Sequence, residues 1–188
     1  KISIKVKEIP PRCGNLFVNH ALKKKYIEEK SKVLCKKYDL INDGQFLKDI
    51  KNANQIWFAS SWAGWELDFL KLSLKNLSNL TTAKILFFGR KDFPKLNPKK
   101  YLGLDRYERS NYVDILNKEV IKLNQDMKLI LGDTKFIDTQ KIMCGDLPPK
   151  CKIFDDKGKL KTWDGAHLTK DGAIWMGMKL EKIIKINK

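Results

Sequence analysis

This 188-residue sequence predicts an α/β fold, a three-layer sandwich in which helices cover both faces of a mostly parallel sheet. Two short apolar runs, "QIWFAS" (55–60) and "KILFFG" (84–89), read as strands buried on both faces. Between them "WELDFLKLSLKNLSNL" (65–80) spaces its apolar residues as an amphipathic helix, which makes the three segments a β-α-β unit. Apolar residues are 43% of the chain and no repeat or low-complexity tract interrupts them, enough for one core and short for two. A single domain over residues 1–188 is expected.

The remaining elements follow in order. Residues 2–9, "ISIKVKEI", alternate apolar and polar as a half-buried strand does, and Pro10-Pro11 end it before a loop through Cys13 and Gly14. Residues 19–38 have helical spacing with lysines outward, and "QFLKDIKNA" (45–53) predicts a second short helix. Beyond the β-α-β unit lie a loop with Pro94 and Pro98, a helix from Ser110, a candidate N-cap, to about Met127, and a strand "KLILGD" (128–133). The C-terminal part holds a Cys144 to Cys151 loop, an extended "KIFDD" (152–156) and a turn at Lys157-Gly158. "WDGAHLTKDGA" (163–173) and a helix from Thr169 to about Ile186 complete it. In a doubly wound sheet catalytic groups collect on loops beyond the carboxyl ends of the strands, and the "WDGAH" segment sits on such a loop.

The net charge of +16 and pI near 9.6 raise the question of nucleic acid. Nearly all the basic residues are lysines scattered over solvated helix faces, whereas phosphate and base recognition favours arginine forks in clustered patches. We expect no nucleic-acid partner; a basic surface favours loose association with anionic glycans or lipid head groups. No apolar run reaches the ~20 residues of a membrane span and no signal peptide opens the sequence. It begins directly on strand-like residues, as a mature or excised fragment would.

Four cysteines, Cys13, Cys35, Cys144 and Cys151, allow three pairings. No C-x-x-C or Cys/His cluster has zinc-ligand spacing, so two disulfides fit better than a metal, with four reduced core cysteines as the alternative. If Cys13 joins Cys35 and Cys144 joins Cys151, loop closure contributes roughly 3 and about 2 kcal/mol, and the compartment is oxidising.

Asp164 and His167 carry the chemistry. Separated by two residues they cannot face each other on a strand, but a turn can fold the carboxylate back toward imidazole Nδ1, with Gly165 and Ala166 giving it room. A carboxylate so placed fixes the tautomer and leaves Nε2 free to take a proton from a hydroxyl nucleophile. Thr169 can cap the helix that begins at Lys170, holding the histidine on the rim just before it.

From Cys144 to Ala173 the pattern C-x6-C-x-I-F-D-D-K-G-K-L-x-x-W-D-G-A-H-L-T-x-x-G-A resembles the C-terminal block of SGNH (GDSL-type) hydrolase domains. It is most similar to those fused to membrane acyltransferases that O-acetylate lipopolysaccharide and other surface glycans. Upstream, "PRCGNLF", the second cysteine after a helix, "FASSW" and "ILFFG" fall in that family's order. The resemblance implies a flavodoxin-like sheet, Asp164 and His167 as acid and base of a Ser-His-Asp triad, paired cysteines, no cofactor and no metal. It also implies a periplasmic or otherwise extracytoplasmic domain attached to the inner membrane through a membrane acyltransferase part of the same polypeptide. Its partners would be a surface glycan or lipopolysaccharide substrate and an acyl donor.

The family's Gly-Asp-Ser nucleophile motif is absent from these residues. By family order it precedes the sequence, so an N-terminally incomplete domain is expected, lacking the first strand, the nucleophile and the next helix. Thr134 in "LGDT" could serve as a hydroxyl nucleophile, but its place in the family order is that of an ordinary strand end. The family's G-x-N-D block is also absent, and Ser60, Ser61 and Trp62 occupy the corresponding strand end. There they could stabilise an oxyanion or wall a pocket, although Trp57, Trp62 and Trp65 also suit packing. Arg90 is left outside the site. Two functions follow: O-acyl transfer or ester hydrolysis on surface carbohydrate, or an inactive SGNH-like module that binds glycan or protein.

Overall fold

The computed structural model describes residues 3–94, 96–146 and 148–184. In chain order the elements are α1 (His20–Lys23), α2 (Lys32–Lys36), α3 (Gly44–Lys51), β1 (Gln55–Ala59), α4 (Leu67–Ser78), β2 (Lys84–Phe88) and α5 (Arg106–Asn111). Then come β3 (Val113–Ile115), α6 (Lys118–Leu131), β4 (Phe136–Ile137), α7 (Thr139–Cys144), β5 (Lys150–Lys152) and α8 (Lys170–Ile183). The fold is mixed α/β: β1, β2 and β4 form a parallel sheet in the order β1-β2-β4, and β3 pairs antiparallel with β5. The chain divides into two compact units, residues 1–90 with 125–137 and residues 91–124 with 138–188.

The first unit carries the predicted β-α-β. Gln55 to Ala59 pair in register with Lys84 to Phe88, and Phe87 and Phe88 pair on the other side with Phe136 and Ile137. Phe58 and Phe87 stack at 5.0 Å between centroids, and both are buried, as are Leu70 and Leu77 of α4. The backbone of Phe17 is tied to α4 at both groups, its N–H donating to Ser73 Oγ (2.8 Å) and its carbonyl accepting from Asn76 (3.2 Å). α3 starts where expected because Asp43 caps it, accepting the N–H of Phe46 at 2.9 Å.

Three expectations in this unit fail. Residues 3–9 form no strand: Ile4 and Val6 are 80% and 79% exposed, and Lys5 and Lys7 are held by Asp49 and Asp43 at 2.6 and 2.5 Å. Alternation makes a strand only where another strand accepts its backbone, and these residues meet α3 side chains instead; Ile2 lies outside the described residues. The helix over 19–38 is broken into α1, α2 and 3-10 turns, because Ile27 turns extended and is buried against Cys13 and Cys35. "KLILGD" is the end of α6, whose buried Met127 and Leu131 continue a helical stripe until Gly132, at φ +75°, stops it. Thr134 accordingly lies in a turn before β4 rather than at a strand end.

In the second unit the single helix from Ser110 is replaced by α5, β3 and the start of α6. Asp105, not Ser110, is the N-cap of α5, in a reciprocal box with Glu108 at 2.8 Å each way. Ser110 hydroxyl instead donates to Tyr107 O inside the last turn. The core here gathers Phe93, Tyr101, Met143, Ile153, Phe154 and Met176. The turn at Lys157-Gly158 is present, Gly158 N–H donating to Asp155 O at 3.0 Å with φ +72°. Thr169 caps α8 as predicted, accepting the N–H of Gly172 at 3.0 Å. The predicted helix end at Ile186 lies outside the described residues.

Two disulfides close locally, Cys13–Cys35 and Cys144–Cys151. They fit an oxidising, extracytoplasmic setting. Among the described residues no helix is long and apolar enough to cross a membrane.

Candidate active site

The "WDGAH" segment is a tight turn in the second unit. Thr162 pairs with Leu168 as an antiparallel bridge, the buried Thr162 hydroxyl donates to His167 O (2.6 Å), and Gly165 N–H donates back to that hydroxyl (3.0 Å). Gly165 takes φ +93°, a conformation open to glycine at little cost. The turn brings the Asp164 carboxylate onto its own successors. Oδ1 accepts the N–H groups of Ala166 (2.8 Å) and His167 (2.7 Å), and Oδ2 meets Nδ1 of His167 at 2.6 Å.

These donors hold the Asp164 carboxyl far below the ordinary carboxylate range, the imidazole hydrogen bond first and the two backbone N–H groups with it. An ionised carboxylate only accepts, so Nδ1 carries the proton, and in the neutral tautomer this selects, Nε2 presents its lone pair. No described residue hydrogen-bonds Nε2, and the His167 side chain is 71% exposed. A proton acceptor facing outward on a fixed mount can do general-base work.

Two features hold the turn from outside. The loop after β2 contributes Lys91, whose Nζ donates to Ala166 O, and Phe93, whose N–H donates to Gly165 O at 2.8 Å. Burial pushes the Lys91 ammonium down, while Asp164 and Asp92 oppose that shift. Beneath it, Lys161 N–H donates to Ile153 O (2.9 Å) and Lys161 O accepts from Thr169 (3.0 Å), joining the turn to α8. Lys161 itself is buried; its Nζ donates to Met143 O and lies over the Trp175 ring at 4.5 Å, and burial pushes its pKa down to about 8. Trp163 stacks on the imidazole, centroids 5.4 Å apart and planes 19° from parallel. Such a contact contributes about 0.5–1.5 kcal/mol to holding the ring.

Sequence reasoning found the Asp164 and His167 pair and missed these supports. Lys91 stands 75 residues from its acceptor, a separation at which a single sequence shows no signal. Trp163 could have been noticed by its place beside Asp164.

The other expected site residues lie at the carboxyl end of β1, in the first unit. Ser60 is half-buried and Ser61 exposed. Trp62 is wholly buried, its indole N–H donating to Phe88 O at 2.6 Å and its ring tilted against Phe87; packing accounts for it. Arg90 donates to Trp62 O at 3.4 Å. A cleft of about 500 Å³ opens at Ala59, lined also by Asn15, Tyr38 and the Val6–Pro11 segment. Nearby, buried Glu66 accepts the N–H groups of Asn15 (3.0 Å) and Ala63 (2.8 Å), and burial pushes its carboxyl up to about 7. Among the described residues no group of three or more His, Cys, Asp or Glu side chains could hold a metal.

The chain matches no family model, no curated protein sequence and no solved structure.

Proposed function

We propose that this chain is an SGNH-type domain that transfers or hydrolyses O-acyl groups, acetyl above all, on bacterial surface carbohydrate. The observation that supports it most is the 2.6 Å contact between Asp164 Oδ2 and His167 Nδ1, with Nε2 turned outward. In this reading the nucleophile is a serine from a Gly-Asp-Ser segment preceding Lys1, added to the β1-β2-β4 sheet as a further parallel strand within a three-layer sandwich. Nε2 takes the serine proton as Oγ attacks the ester carbonyl. The tetrahedral oxyanion collapses, the protonated imidazole gives its proton to the departing alkoxide, and an acyl-serine remains. A sugar hydroxyl or water then attacks that ester while His167 again takes the proton. Asp164 keeps the ring in the productive tautomer and stabilises the imidazolium. Backbone donors are the proposed oxyanion partners. The disulfides support a periplasmic location, and attachment to an inner-membrane acyltransferase part completes the proposal.

The test is hydrolysis of p-nitrophenyl acetate by the polypeptide that includes the reading frame upstream of Lys1. Loss of at least a hundredfold in kcat/KM for His167→Ala and for Asp164→Asn is expected; unchanged turnover in both would overturn the triad. The absence of Gly-Asp-Ser from these residues favours a second reading, a non-catalytic module that binds glycan or protein. An upstream sequence unrelated to a Gly-Asp-Ser strand would select it.

A further inference from the structure

Trp163 is unusual among the indoles of this chain. Trp62 is fully buried and bonded to a carbonyl, Trp65 stacks on Tyr26, and Trp175 lies under two lysines. Trp163 is 62% exposed, no described side chain takes its indole N–H, and its one ring contact is the imidazole of His167. Its backbone is nonetheless fixed, its N–H donating to His167 O at 3.3 Å inside the bridged turn that Thr162, Lys91 and Phe93 hold. A rigidly mounted flat apolar surface is thus presented to solvent beside an outward-facing proton acceptor.

The surroundings narrow what such a surface can take. An acyl chain gains from burial on several sides, which one open indole does not supply. A pyranose ring has one apolar C–H face and a rim of hydroxyls. That matches a single flat exposed ring whose neighbour in the turn is the Asp164 carboxylate.

We infer that Trp163 is a stacking platform for a sugar ring, which packs on the indole surface that the imidazole of His167 leaves uncovered. The inference deepens the proposed reaction and rests on it for the identity of the site. It assigns to Trp163 the recognition of the carbohydrate, separate from the acyl chemistry of the Asp164 and His167 pair.

The chain contains two histidines, so the Cε1–H resonance of His167 can be assigned by its loss in His167→Gln. The probes are cellotriose, maltotriose and chitotriose, titrated into wild-type protein, Trp163→Phe, Trp163→Leu and, as an exposed-indole control, Trp57→Leu. A saturable shift of the His167 signal is expected with at least one trisaccharide. Its Kd should rise a few-fold in Trp163→Phe and at least tenfold in Trp163→Leu, and stay unchanged in Trp57→Leu. Trp163→Leu keeps an apolar side chain at this exposed position, and an unaltered melting temperature shows that it folds. A Kd in Trp163→Leu equal to wild type, or no shift with any of the three sugars, would overturn the platform. Hydrolysis of p-nitrophenyl acetate, which carries no sugar, separates the two proposals. Sugar binding without hydrolysis leaves the platform standing and removes the triad, and hydrolysis without sugar binding does the reverse.

Discussion

Gly172 stands so close to Lys161 that a Cβ on it would lie 2.0 Å from the Lys161 carbonyl oxygen. That same oxygen accepts the Thr169 N–H, so the first turn of α8 is pressed onto the bridged segment that leads into the Asp164 turn. The close approach is what seats the candidate base on the rest of its unit.

Replacing that glycine should therefore be costly. Gly172→Ala must push backbone against backbone and is expected to destabilise the protein by more than about 2 kcal/mol. Gly177, on the same helix, is exposed with no atom within 4 Å of a Cβ. Gly177→Ala should gain about 0.5–1 kcal/mol through helix propensity. Urea unfolding midpoints of the two variants check the opposite signs; equal effects would mean that α8 does not pack on Lys161 in this way.

Lys91 is expected to act on the site through position alone. Lys91→Met removes the donor to Ala166 O while the Phe93 bond to Gly165 O remains, so the fold should hold and the turn should loosen. We expect kcat/KM for the proposed ester hydrolysis to drop about five- to tenfold with little change in melting temperature, and Lys91→Arg to restore most of it. Activity of Lys91→Met equal to wild type would show that the turn needs no clamp.

Glu66 predicts a pH dependence of stability. Its folded carboxyl titrates at about 7, above the 4.5 of an ordinary glutamate, because it is buried. Between those values the folded chain binds more protons than the unfolded one, so stability falls as pH rises from 4.5 to 7, by on the order of 3 kcal/mol. Glu66→Gln should be less stable overall, since its amide cannot accept from both Asn15 and Ala63, yet should lose that slope. Unfolding midpoints measured across this pH range test it.

The two disulfides should contribute unequally. Sequence separations of 22 and 7 predict losses of roughly 3 kcal/mol for Cys13→Ala/Cys35→Ala and about 2 for Cys144→Ala/Cys151→Ala. The second loss bears on the site, because Met143, next to Cys144, accepts the buried Lys161 ammonium. Denaturation with and without reductant, compared with the double variants, checks both.

Several features were legible in the residues because they are local. The β1-α4-β2 unit followed from two apolar runs around an amphipathic helix, and Thr169 from its place before α8. The Asp164 turn was readable because every hydrogen bond that folds it lies within five residues. The strand expected at 128–133 was misread because four consecutive apolar or amphipathic residues suit a buried helix end as well as a strand.

By itself, then, the sequence determined the α/β character, the cysteines available for pairing and the Asp164 and His167 geometry, all set by spacing along the chain. The tertiary structure alone decided that residues 3–9 stay outside the sheet, that Trp62 is core, and that Lys91 and Phe93 brace a turn over seventy residues away. Those outcomes depend on which backbone groups and apolar faces find partners. Such partners are chosen by the folded chain as a whole, and no local pattern encodes the choice.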